Sequence, residues 1–118
     1  MSTHIKAVIP GGCVPCPRAR VSRHGTYYPA RYTRWHEMAQ GELVSQCGRL
    51  LWDENVHVTV VFYGLRVNAD LDNALKSVFD ALTGVLIEDD LQVHSVHACR
   101  RKGEKRTVIE VLKLPEVN

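Results

Sequence analysis

No stretch of this 118-residue sequence approaches the roughly 18 consecutive apolar residues that a membrane helix needs. The segment Met1 to Ala7 carries no long apolar run of the signal-peptide kind. These absences predict a protein that neither spans nor crosses a membrane, with the cytoplasm as its expected place. Also missing are a glycine-rich phosphate loop, a Ser/His/Asp order and any internal repeat, which removes P-loop enzymes, triad hydrolases and solenoids from consideration. Four cysteines, at 13, 16, 47 and 99, form no regular framework, so reduced thiols are expected rather than a disulfide scaffold. The lone C-x-x-C of Cys13 and Cys16 has His24 as its nearest further ligand and falls short of the four convergent ligands of a structural zinc site.

What the chain does contain is an ordinary globular composition, 45% apolar and 24% charged, at a length that predicts one domain over residues 1–118. The net charge of +2 hides an uneven distribution. Residues 1–69 carry +4, residues 70–90 carry −5, and residues 91–118 carry +3. An acidic middle between basic flanks is what a polyanion-binding protein with a metal-holding centre would need, although a solvated acidic helix has the same signature.

Periodicity supplies the elements. Ile5 to Ile9 is a short strand, ended by Pro10-Gly11-Gly12 and a proline-rich loop through Pro17, and Arg18 to Pro29 is an exposed basic arm or hairpin. Pro29 opens a helix whose apolar stripe, Tyr32, Trp35, Ala39, Leu43, Cys47 and Leu50, predicts its extent to about Trp52. Val56, Val58, Val60 and Phe62 alternate as a strand. Leu71, Leu75, Val78, Phe79 and Leu82 share one face of a second helix, capped by Asp70 and ended by Gly84. Strands over 91–99 and 106–114 follow, joined by a basic hairpin tip containing Gly103. The order β-α-β-α-β-β predicts an α+β domain with two main helices on a small mixed sheet.

On the second helix, Asp72 and Lys76 stand four residues apart and Asp70 begins the same helix, so two carboxylates project from one helix end. A third acidic group, Glu88-Asp89-Asp90, precedes the next strand and is expected to approach that end once the sheet forms. Converging carboxylates make an oxygen-only site of the kind magnesium prefers. A nearby Lys76 would offset charge on a pentavalent phosphate. The alternative is a helix cap, a surface ion pair worth about 0.5 kcal/mol and a decorated turn.

The string from Asp70 to Thr83, DLDNALKSVFDALT, followed by Asp89-Asp90-Leu91-Gln92-Val93, resembles the signature of the RusA family of Holliday junction resolvases, D-x-D-N-x-x-K-x-x-x-D-A-L with a later D-D-x-Q-V. Pro15-Cys16-Pro17-Arg18 with Tyr27-Tyr28-Pro29 is similar to a pattern of phage-type relatives. The resemblance implies that Asp70, Asp72 and Asp90 are catalytic, metal-binding aspartates and that Lys76 is the catalytic lysine. It further implies Mg2+, with Mn2+ as a substitute, and a homodimer that makes paired symmetric nicks in four-way DNA junctions. Family members can carry a basic run before the first aspartate, where Arg66-Val67-Asn68-Ala69 supplies one base. Arg18, Arg20, Arg23, Arg31 and Arg34, interleaved with tyrosines, and Arg100, Arg101 and Lys102 in the later turn are the candidate DNA contacts. A protein that binds nucleic acid without cutting it, or a nuclease acting on forks, flaps or RNA, remains the competing expectation.

Overall fold

A computed structural model describes residues 3–17, 20–23 and 25–115. Six strands and two long helices follow the expected order: β1 (His4–Pro10), the hairpin β2 (Arg20–Ser22) and β3 (Gly25–Tyr27), α1 (Ala30–Cys47), β4 (Val56–Tyr63), α2 (Leu71–Leu82), β5 (Val93–Arg101) and β6 (Arg106–Lys113). The main sheet is mixed, ordered β1-β6-β4-β5, with β4 parallel to β5 and antiparallel to β6. This is the α+β architecture read from the sequence. Among the described residues no helix is long and apolar enough to cross a membrane.

Strict alternation along β4 turns Val56, Val58, Val60 and Phe62 inward. Both helices cover that face: Tyr32, Trp35, Ala39 and Leu43 of α1, and Ala74, Val78, Ala81 and Leu82 of α2, are all buried. The opposite face is open, with Val8 and Leu112 exposed there.

Three expectations need correction. α1 stops at Cys47, because Gly48 takes φ 81° and its N–H closes the helix on the Val44 carbonyl. Leu50 consequently lies outside the helix and is exposed, whereas Trp52 bridges to Ile87. On α2 the buried face is rotated towards Ala74, Ser77 and Ala81, leaving Leu71, Leu75 and Phe79 half-buried. The cause is the 13–17 loop, which lies along the helix: Ser77 donates to the Val14 carbonyl at 2.7 Å and the Cys16 N–H to the Asn73 carbonyl at 2.9 Å. Finally, β5 and β6 form no hairpin, since β4 lies between them and their basic connection passes over the end of β4. Arg106 stacks on Tyr63 there, 3.9 Å from the ring centroid.

Gly64 makes that crossing possible. Its φ is 69°, and a Cβ at this position would lie 2.9 Å from both the Gly103 carbonyl oxygen and the Lys105 side chain. Gly64→Ala is therefore expected to lower stability by about 2 kcal/mol. Urea denaturation checks this, and an unchanged midpoint would show that the connection can yield.

Candidate active site and its family

The helix α2 begins at Asp70, whose Oδ1 accepts the Asp72 N–H at 2.8 Å. The cap leaves Asp72 in the first turn, exposed, with exposed Lys76 one turn on. No ion pair joins Asp72 to Lys76; the ion pairs among the described residues include Lys113 with Glu54 and Glu110 with His4 and Lys6, well away in sequence and on other elements. The surface-pair alternative is thus not what the structure contains. In front of the cap, the 64–70 loop is stapled to β5 by Arg100, which donates to the carbonyls of Arg66 at 2.7 Å and Ala69 at 3.1 Å. Arg100, Arg101 and Lys102 with Gly64, Leu65, Val67 and Gly103 line a groove of about 580 Å³. A second cleft, about 300 Å³, reaches Asp70 itself from Pro15, Cys16, Pro17 and Arg66. The 64–70 loop lines both, Leu65 and Val67 facing the first and Arg66, Asn68 and Ala69 the second.

The second acidic group is built around one amide. Asp89 caps a 3-10 turn, Asp90–Gln92, through Oδ1 to the Leu91 N–H at 2.9 Å. Gln92 Oε1 accepts from the N–H groups of Glu88 and Asp89, and its Nε2 donates to the carbonyls of Trp52 and Glu54, at 2.7–2.9 Å throughout. All of its strong hydrogen-bonding capacity holds this turn against the start of β4. Asp89 and Asp90 are both exposed, Asp89 also serving as the cap. Slight desolvation, then the hydrogen bond and charge of Asp89 and the charge of Asp80, hold the Asp90 carboxyl above its ordinary range.

The two acidic groups do not converge within one chain. Because β4 and β5 are parallel, α2 runs back across the sheet. Asp70 stands by the end of β5, where Arg100 reaches its loop, whereas Asp90 stands by the start of β5, where Gln92 reaches Trp52 and Glu54. The 12 residues of α2 alone separate these ends by about 18 Å. Among the described residues, no three His, Cys, Asp or Glu side chains gather closely enough to hold a metal.

A family model described as endodeoxyribonuclease RusA matches residues 10–112. The chain belongs to the RusA family. No curated protein matches it. RusA proteins are endodeoxyribonucleases that act on Holliday junctions, so a DNA-cutting, DNA-binding role in recombination follows for the chain at that level.

The remaining RusA signature residues have visible local roles. Asp80 accepts a hydrogen bond from Tyr32 Oη at 2.7 Å and one from the Cys16 thiol at 3.8 Å, tying α1 and the 13–17 loop to α2. Burial and then the Asp80 carboxylate hold the Tyr32 phenol far above its ordinary range, so it stays a donor. Burial also pushes the Cys13 thiol up to about 12, and it donates to the Ala74 carbonyl. Of the candidate DNA contacts, Arg31 and Arg34 are exposed on α1, Arg23 is exposed in the hairpin, and Arg101 and Lys102 are exposed beside the larger groove. Arg20 opens β2, and Arg18 lies outside the described residues. Sequence reasoning missed the role of Gln92, although it stands inside the quoted string.

Replacing Gln92 by Leu removes four hydrogen bonds, leaving the Asp89 N–H and the Glu54 carbonyl without that partner while the Glu88 N–H and the Trp52 carbonyl keep their mutual bond at 3.3 Å, and is expected to cost about 2–3 kcal/mol. The same change should loosen Asp90 and lower cleavage more than junction binding. Thermal melts and nicking assays on one preparation check both, and an unchanged melt would remove Gln92 from its structural role.

Proposed function

We propose that this chain is a magnesium-dependent, structure-selective endodeoxyribonuclease that resolves Holliday junctions by paired symmetric nicks, working as a homodimer with each site shared between copies. The observation that carries this reading is the separation of Asp70 and Asp72 from Asp90 across β4, α2 and β5. One copy supplies half of a carboxylate site at each end of β5. A two-fold partner paired antiparallel along β5 would set each half beside the complementary half, giving two equivalent sites.

Several features favour that edge. β1, the other edge strand, is blunted: Gln46 accepts the Val8 N–H at 2.9 Å and donates to the Val8 carbonyl at 2.7 Å, occupying the groups a new strand would use. Residues 93–99 of β5 carry no Lys, Arg, Asp, Glu or Pro, the usual protections of an edge. Val96 is exposed on this strand, and the two most exposed large apolar residues, Val67 at 98% and Leu91 at 82%, lie near its opposite ends. Antiparallel pairing would bring Leu91 of one copy towards Val67 of the other.

The donor set suits the metal: carboxylate oxygens without cationic partners form a hard site. Asp70 and Asp72 of one copy and Asp90 of the other would hold Mg2+, with Mn2+ able to replace it. When bound, such an ion supplies the positive charge and activated water that phosphodiester hydrolysis requires. Lys76 places an ammonium beside the phosphate undergoing displacement. Arg101 and Lys102 bind the adjoining DNA backbone and Arg100 positions the Asp70 loop, while the cations of the arm and α1 hold the outgoing duplex. Forks, flaps and RNA are the competing substrates, and non-catalytic binding is the competing activity. A cleavage panel of labelled junction, fork, flap, duplex and RNA, with and without magnesium, separates them.

Asp70→Asn and Asp90→Asn are each expected to abolish cleavage while junction binding persists. Mixing the two inactive proteins is expected to restore about a quarter of the wild-type sites, because each mixed dimer keeps one unaltered site. The products should be single nicks. No recovery after subunit exchange has been verified would overturn the shared site.

Val96→Lys sets like charges across the two-fold axis and is expected to shift light-scattering mass towards the monomer and to abolish cleavage. A persistent, active dimer would place the interface elsewhere.

A further inference from the structure

Beside the acidic residues lies a cleft that the nuclease reading leaves unused. Tyr28, Tyr32 and His36 recur at four-residue spacing at the start of α1, with ring centroids 5.4 Å and 6.2 Å apart. With Thr33 and Asp80 they line a cleft of about 210 Å³. A cavity of about 150 Å³ accepts a benzene ring, so there is room for one heteroaromatic ring but not for a whole nucleotide. The mouth is aromatic, Tyr28 being 45% exposed, and the one acid lining it is Asp80, beside the Thr33 hydroxyl and the His36 imidazole. Asp80 Oδ2 is engaged by Tyr32 and Cys16, and no hydrogen bond to Oδ1 is formed among the described residues. Exposed Arg31 and Arg34 flank the same helix.

We infer that this cleft binds one unpaired nucleobase carrying an exocyclic amino group, stacked on Tyr28 and donating to Asp80. Aromatic faces accept any base, so stacking supplies affinity without choice. The carboxylate supplies the choice. It accepts only, which suits the amino group of cytosine, adenine or guanine; thymine offers a single N–H flanked by two carbonyl oxygens that the carboxylate repels. The arginines bear on the phosphates attached to that base. The cleft lies on the α1 side of α2, with Asp80 as its wall on that helix. The inference rests on the nuclease reading for its biological setting, but its test uses binding alone.

The experiment measures fluorescence anisotropy of short labelled oligo-dC, oligo-dA and oligo-dT with the full chain in EDTA. The wild type is expected to prefer dC and dA over dT by about tenfold, the worth of one charge-assisted hydrogen bond. Asp80→Asn keeps an oxygen to accept from Tyr32 while adding donors, and should erase or invert the preference. Tyr28→Leu, at an exposed position, should weaken all three alike by about tenfold while leaving the salt slope unchanged. Equal wild-type affinities, a preference unmoved in folded Asp80→Asn, or binding indifferent to Tyr28→Leu would overturn the inference. If Asp80→Asn fails to fold, the wild-type preference and Tyr28→Leu still decide it. Selective binding in a protein that cuts no junction would keep the base site and remove the nuclease reading; junction cleavage with unselective binding would do the reverse.

Discussion

Parallel pairing of β4 with β5 is the constraint on which the rest of this structure depends. Parallel neighbours require a crossover, and α2 is that crossover, so its two ends must lie at opposite ends of the sheet. The acidic string of the sequence is thereby stretched over the length of a helix. Asp70 and Asp72 lie at one end and Asp90 towards the other, with a helix of 12 residues, about 18 Å long, running between them. In the proposed dimer a two-fold partner would resolve this, because it turns one chain end for end relative to the other.

Both halves of the acidic set are held by polar side chains spent on backbone groups. Arg100 fastens the loop before Asp70, and Gln92 fastens the turn around Asp90. Such bonds contribute about 1 kcal/mol each, whereas a buried backbone group left unpaired costs more. Their larger effect is on position. A loop of free backbone would scatter a carboxylate over several ångströms; stapling at two points narrows that range before any ligand arrives. Asp70 and Asp89 add to this by capping their own helical turns, each accepting the N–H two residues ahead.

Elements defined by local periodicity were legible in the sequence. The alternation of Val56 to Phe62 and the Asp70 cap of α2 were read with their boundaries close to those observed. Legibility ended where long-range contacts decide. Nothing in Leu91 to Leu114 says that β4 separates two consecutive strands, and a basic turn with Gly103 reads naturally as a hairpin. Likewise, the rotation of the buried face of α2 depends on the 13–17 loop, whose residues show no period. The expected meeting of Asp90 with the Asp70 end failed for the same reason: spacing along a chain carries no information on which end of a strand its neighbour begins. Residue types at the site were legible through the RusA string, but their division between two ends was not.

The contrast between the sheet's two edges extends the argument from position to assembly. An edge strand offers unpaired N–H and carbonyl groups, and a protein that must stay apart protects both edges. Here the two are treated differently, and on β5 the charged residues, Arg100 and Arg101, stand only at its end. On β1 the Gln46 amide imitates a neighbouring strand at Val8, and Lys6 and Pro10 further discourage pairing. On β5 the run His94-Ser95-Val96-His97-Ala98-Cys99 carries no such device, while apolar Leu91 and Val67 stand exposed towards its ends. Burying two large apolar side chains per copy is worth about 2 kcal/mol each, in addition to the strand hydrogen bonds. The unprotected edge is also the one whose pairing would complete the acidic site. In the proposed dimer, assembly and chemistry would place their demands on the same strand, and an edge left bare would serve both.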